Sequence, residues 1–173
     1  FDGLLVQAVT RGDGFVGEDV TANVRTIKNV PLELRHEKGY HEFLHGRTEI
    51  RGEIIMQKKD FEALNHARAQ EGLPLFKNPR NLAAGTIRQL DPALVAARPL
   101  LFRAYDILRD NPSDVSTNVF AYQALRAIGV AANTQAAVFQ DLEGVMQFVD
   151  TWDEKRHNLP FNTDGLVVKL NDR

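Results

Sequence analysis

Cysteine is absent from this 173-residue chain, which removes disulfides, thiolate zinc sites and cysteine nucleophiles together and is compatible with a reducing cytoplasm. Long apolar runs are missing as well. Stretches such as Val95-Ala96-Ala97, Leu100-Leu101-Phe102 and Val130-Ala131-Ala132 are far too short to span a bilayer, so no membrane anchor is expected. Neither charge dominates: 21 Lys and Arg face 23 Asp and Glu, for a formal net charge of −2. The chain as a whole lacks a field that would condense nucleic acid, and any polyanion contact must be local. No secretory or transit peptide is recognisable, and the first residue is Phe1 rather than Met, so a chain excised from something larger is expected. What is present is apolar material: 43% of residues, enough to build a core and to argue against disorder.

Leu4 to Val9 has the pattern of a short strand, followed by the glycine-rich stretch Thr10 to Gly17 and a helical segment from Glu18 to Ile27 with acids in its first turn. Pro31 starts a second extended run. Thr48 to Met56 alternates cleanly, with Ile50, Gly52, Ile54 and Met56 on one face and Glu49, Arg51, Glu53 and Ile55 on the other. Lys58 to Glu71 is helical by composition and stops at Gly72 and Pro74. Asn78-Pro79-Arg80-Asn81 opens a short helix through Leu90, which Asp91-Pro92 interrupts. A strand from Leu100 to Leu108 comes next. Two amphipathic helices follow, Ser116 to Ile128 and Leu142 to Lys155, the second with Leu142, Val145, Met146, Val149 and Trp152 on one stripe, as cover for a sheet. A last strand, Gly165 to Asn171, would bury Leu166, Val168 and Leu170 and present Val167 and Lys169 on the other side. Strands and helices intermix with long connections and no βαβ rhythm, which places the chain in the α+β class.

Two motifs match known patterns and mislead. Gly12-Asp13-Gly14-Phe15-Val16-Gly17 is a literal G-x-G-x-x-G between a strand and a helix, with Glu33 near the downstream acid of a dinucleotide site. Asp13, Glu18 and Asp19 would crowd a pyrophosphate there, and no second βαβ half follows. The turn is better taken as shaping some other phosphate site. His41-Glu42-Phe43-Leu44-His45 is a literal H-E-x-x-H, but Gly39 and Gly46 bracket it too closely for a zinc-binding helix. An exposed polar turn explains it. His36, His66 and His157 sit in polar surroundings and are expected to face solvent.

Three other features are not needed by a soluble domain of no particular function. Glu53 is a carboxylate embedded in strand residues, with Gly52 before it allowing a backbone or ligand to approach. Lys169 is a cation set in an apolar strand. Arg11 lies between a strand and the glycine turn. Singly, each is more often a solvated side chain or a surface ion pair. Together they supply what phosphoryl or nucleotidyl transfer requires: cations for phosphate oxygens (Arg11, Lys169) and carboxylates for a ribose or Mg²⁺ (Glu53, Asp164).

Thr10-Arg11-Gly12-Asp13-Gly14 with Gly17-Glu18-Asp19-Val20-Thr21-Ala22-Asn23-Val24-Arg25-Thr26-Ile27, then Arg51-Gly52-Glu53, then Asn78-Pro79-Arg80-Asn81-Leu82-Ala83-Ala84-Gly85 running to Arg88-Gln89-Leu90-Asp91-Pro92, and Asp164-Gly165-Leu166-Val167-Val168-Lys169 occur in that order. In these blocks the chain closely resembles, from end to end, the adenylation domain of bacterial NAD-dependent DNA ligase. The resemblance implies a nucleotidyltransferase fold like that of DNA ligases and mRNA capping enzymes, mainly antiparallel sheets flanked by helices. It implies a lysine that attacks the α-phosphorus of NAD, releases nicotinamide mononucleotide and passes AMP to the 5′-phosphate of a nick, with Mg²⁺ taking part. Arg11 then matches the arginine of the nucleotide pocket, Glu53 the acid on the AMP ribose, Lys169 the lysine near the transferred phosphate and Asp164 the acid that opens its motif. Tyr105 falls where the family sets an aromatic against adenine. Arg80, Arg88 and Arg156 match arginines that grip nicked duplex DNA, positioning it without reading its sequence.

The family nucleophile lies in Lys-x-Asp-Gly, and no such string occurs here. Gly3 stands eight positions before Arg11, so Asp2-Gly3 is taken as a hairpin turn and the nucleophile as lying about ten residues upstream of Phe1. The later lysine-bearing motif is also outside the stretch. Residues 1–173 are therefore expected to be part of one adenylation domain, monomeric, working with the remaining ligase domains on nicked DNA in repair and replication, in a bacterial cytoplasm near the nucleoid. Two alternatives stay open: a non-catalytic module of the same fold that binds DNA or protein, and an ATP-using RNA ligase or capping-enzyme relative, against which the Thr-Arg-Gly-Asp-Gly block argues.

Overall fold

A computed structural model describes residues 1–173, the whole of the sequence. Its centre is one antiparallel pair, β1 (Thr48–Met56) and β2 (Leu100–Arg109), with Thr48 opposite Arg109 and Met56 opposite Leu100. The alternation expected of Thr48 to Met56 is what forms. Ile50 packs into one apolar cluster, and Ile54 and Met56 into another. The register slips once, because Arg51 faces Asp106 while Gly52 faces Ala104, leaving Tyr105 as an extra residue on β2. Such a bulge bends the strand and re-aims a side chain.

The two clusters lie under opposite ends of the pair. Phe43, Ala104 and Ile107 meet Ala121, Ala124, Leu125 and Ile128 of helix α5 (Asn118–Ala127) and the residue after it. Val20, Val24 and Ile27 meet Met56, Leu100, Ala83 and Ile87 of α3 (Pro79–Ile87), and Val95 of α4 (Pro92–Ala96). Local chemistry sets the helix ends. The Asn78 side chain accepts from the Arg80 and Asn81 amides with Pro79 at the first turn, Asp91 accepts from Ala93, and Thr117 accepts from Phe120. Asp91-Pro92, expected to break a helix, does so by starting another.

One hidden tie closes the pair. Arg109, with only 11% of its side chain exposed, bonds Asp114 at 3.1 Å and donates to the carbonyls of His45 and Arg47 and to Thr48 Oγ1. The His41–Leu44 segment is a single 3-10 turn whose Phe43 is fully buried, so it is an anchor as well as a polar turn. His36, His66 and His157 are exposed as expected.

Several sequence expectations are corrected. Leu4 to Val9 is not a strand: only Leu4 and Val9 bridge, to Glu33 and Asp19. The expected helix from Glu18 to Ile27 shrinks to α1 (Thr21–Val24), because Asp19 and Val20 are tied to Val9 and Ala8 and Thr26 and Ile27 close as turns onto Asn23 and Val24; within α1, Asn23 donates to the carbonyls of Ile87 and Gln89, both at 2.7 Å. The stripe of α6 (Leu142–His157) covers no sheet. Trp152 alone is buried, against Phe148, which in turn meets Phe139, while Leu142 and Met146 stay exposed. Gly165 to Asn171 forms no ladder, and Val167, Val168 and Leu170 face solvent. Helix α2 (Lys58–Gln70) ends near Gly72 as expected. No helix is long and apolar enough to cross a membrane.

Candidate functional site

Glu53 stands on the charged face of β1, directly across from Arg103 of β2, and both rise on the side away from the apolar clusters. Gly52 before it is obligatory. A Cβ there would lie 2.5 Å from the Phe102 ring and 2.5 Å from the Arg103 carbonyl oxygen. The close approach foreseen at this glycine is thus made by the partner strand. Further along the same face, Glu49 accepts from Arg51 Nε at 2.6 Å and also holds Arg47. The Glu49 carboxylate raises the Arg51 pKa, with smaller contributions from Asp106 and Tyr105. Tyr105, exposed at the bulge, leaves its ring open for stacking.

Both ends of the Phe161–Arg173 segment return to this face. The Arg103 guanidinium lies 5.2 Å from the Phe161 ring centroid. At the far end Arg173 pairs with Asp106 at 2.7 Å, with about four-fifths of each side chain covered. Tyr122 lies beside that pair; burial raises its pKa first and Asp106 second, while Arg173 opposes them. Asn118 and Val119 at the start of α5 hold Leu170 and Asn171 through their amides. Asp164 and Lys169 therefore travel on a strap fastened beside Glu53, and both are exposed.

Arg11 is elsewhere. It sits in a hairpin loop closed by Thr10 and Glu18, whose backbones bond at 2.9 Å. Asp13 Oδ1 accepts from the amides of Phe15 at 2.9 Å and Val16 at 2.8 Å, and these bonds lower its pKa. The glycine turn's amides are thereby filled by the chain's own carboxylate, which removes the dinucleotide reading of the G-x-G-x-x-G string. No ion pair joins Arg11, Glu53 or Lys169 to anything. The ends of the segment that carries Asp164 and Lys169 thus reach Arg103 and Asp106 of β2, the strand paired with the one bearing Glu53, while Arg11 lies on a separate loop.

The three arginines expected at DNA are all clamped by carboxylates. Arg80 bonds Asp164 at 2.5 Å, Arg88 pairs with Glu18 at 3.3 Å, and Arg156 with Asp153 at 2.9 Å. Arg80 and Arg88 cap the two ends of α3, about 12 Å apart along its axis at 1.5 Å per residue. Arg156 instead lines a cleft of about 430 Å³ with Trp152 and Leu166, beside Asp150 and Asp153. Sequence reasoning missed Arg103 and Phe161. Their signal is the strand register, which places Arg103 opposite Glu53 but becomes visible only once β1 and β2 are paired. No group of three histidine or carboxylate side chains forms a metal cage, so the protein side chains alone do not fit a resident Mg²⁺.

The family model for the NAD-dependent DNA ligase adenylation domain matches residues 1–173. The chain is 44% identical over 170 residues to the DNA ligase of Syntrophomonas wolfei, covering 98% of this chain and 25% of that protein. It is also 44% identical over 173 residues to the DNA ligase of Thermomicrobium roseum, covering 99% and 25%. The DNA ligase of Chloroflexus aggregans matches at 43% over 176 residues, covering 99% and 26%. The chain spans about a quarter of the length of these curated relatives. With every block from the glycine hairpin to the Lys169 strap inside a single match, the chain belongs to the NAD-dependent DNA ligase adenylation domain family.

Proposed function

We propose that this chain is the central part of an adenylation domain, within the nucleotidyltransferase fold of ligases and capping enzymes, that binds the AMP moiety of NAD for a nick-sealing DNA ligase. The observation that carries the proposal is the strap: Asp164 and Lys169 lie on a segment fastened at both ends to the face that presents Glu53. NAD supplies the AMP that is transferred. The chain's own residues bind and orient it. Glu53, a free carboxylate opposite Arg103, accepts from the ribose hydroxyls, and Tyr105 stacks on the adenine. Lys169 and Arg11, which carry no counter-ion, neutralise phosphate oxygens, and Asp164 sets the start of the Lys169 segment. Mg²⁺, lacking a protein cage, stays outside the steps assigned to these residues.

Arg80, Arg88 and Arg156 hold the duplex by its phosphates. The Arg80–Asp164 bond joins the two tasks, since Asp164 belongs to the nucleotide strap and Arg80 to the DNA set. The working protein is a monomer in the bacterial cytoplasm at the nucleoid, its other domains supplying most of the DNA affinity. Residues 1–173 contain no Lys-x-Asp-Gly, so this stretch alone retains no covalent label from adenine-labelled NAD. In the full-length protein, Glu53→Ala lowers adduct formation by about 10²-fold, the scale on which removing one group that orients and stabilises the reacting nucleotide slows a reaction. Near-normal labelling in Glu53→Ala, or label retained by the isolated stretch, overturns the reading.

A further inference from the structure

We propose that the edge of β2 away from β1 carries a second phosphate-binding surface for DNA, an open cleft lined by Lys28, Arg35, Arg103 and Arg126. The cleft has a volume of about 550 Å³, and its twelve lining residues include these four cations and no carboxylate. That composition stands out in a chain whose charges divide 21 to 23. A nearly neutral protein meets a polyanion only through such local concentrations of one sign.

The four cations come from four places: the turn after α1, the extended run after Pro31, β2, and the last turn of α5. Backbone ties hold these places in register. Asn29 donates to the Phe102 carbonyl at 2.7 Å and accepts the Phe102 amide at 2.9 Å, copying a strand ladder with one side chain. The Arg35 amide donates to the Ile128 carbonyl at 2.9 Å, and the Ala104 amide to Ala131 at 2.8 Å. Gly129, at φ +90, leaves room for the Arg35 side chain to cross the floor. The cleft is thus preorganised by bonds that its charged groups do not share.

None of the four cations is in an ion pair, and only Arg103 is otherwise engaged, over the Phe161 ring. Arg80, Arg88 and Arg156 each share their charge with a carboxylate; Lys28, Arg35 and Arg126, all exposed, have none beside them. An open cleft suits a strand lying across it better than a small molecule, whose pockets bury most of the ligand. The occupant is therefore the phosphodiester backbone of duplex DNA, an assignment that rests on the ligase reading above.

The experiment is a salt series of nicked-duplex binding by the full-length protein. The Arg35→Gln/Arg126→Gln double variant should flatten the slope of log K against log salt by about 1.8, at ~0.9 per phosphate contact, and Lys28→Gln by about half as much. Lys28 lies on an exposed turn, so its variant remains informative should the double variant fold poorly. Unchanged slopes in both, with Arg80→Ala weakened, overturn the cleft and leave the ligase reading standing; the same holds if the variants lose only an acidic protein partner. A wild-type protein that takes no label from NAD and holds no nicked duplex overturns the ligase reading and this occupant together.

Discussion

Thr48–Met56 and Gly165–Asn171 are written in the same alternating code, yet only the first becomes a strand. Both put apolar side chains on every second residue and a charged group, Glu53 or Lys169, on the opposite face. β1 has β2 beside it for nine paired positions and two apolar clusters beneath it. The later segment has α5 at one end and no strand alongside, so Val167 stays 84% exposed and Leu170 83%. Alternation specifies which face would be dry. It does not supply the neighbour whose amides complete a ladder.

The largest effect should come from attacking the region that has its neighbours. Phe43→Ala empties a fully buried site between β2 and α5 and should cost about 3–5 kcal/mol in denaturant unfolding. A loss under 1 kcal/mol would mean that the 3-10 turn does not anchor the pair. Asn23→Ala strips the carbonyls of Ile87 and Gln89 of their donor in a nearly buried site, and about 2 kcal/mol is expected. Amide exchange at the end of α3 should quicken in the same variant. Val167→Ser, by contrast, should shift stability by no more than about 0.5 kcal/mol in this chain, because the side chain already faces water. A large loss there would show that the later segment is packed after all, and the contrast with β1 would collapse.

The smallest effect concerns the glycine hairpin. The Asp13 carboxyl has a lowered folded-state pKa, owing first to the Val16 amide and then to that of Phe15. Its contribution is present above the unfolded carboxyl value of about 3.9 and is lost as pH falls through the lower folded value. Chemical shifts of the Phe15 and Val16 amides should therefore titrate below about pH 4, in step with Asp13. In Asp13→Asn that acid-side titration should vanish.

Residues that report on their own neighbourhood were legible in the sequence. Asn78-Pro79 announced the start of α3, Gly72 the end of α2, and the Ile50-Gly52-Ile54-Met56 alternation the dry side of β1. Residues whose behaviour depends on a distant partner were not. Asn23 gives no sign in the sequence that Ile87 and Gln89 will take its amide, and α6 looks like cover until no sheet is found beneath it. The candidate site divides the same way. Glu53, Asp164 and Lys169 are visible as types in a spacing, whereas the Arg103–Phe161 contact and the Arg173–Asp106 pair that bring their segments together depend on register and closure.

Asp13 gives the hairpin one further property. A carboxylate attached two and three residues from the amides it occupies acts as a tethered competitor, present at an effective concentration on the order of millimolar or above. An incoming anion at cellular levels must displace that built-in occupant before it can use the Phe15 and Val16 donors. The loop is therefore self-inhibited as an amide nest, and what it can offer a passing nucleotide is the guanidinium of Arg11.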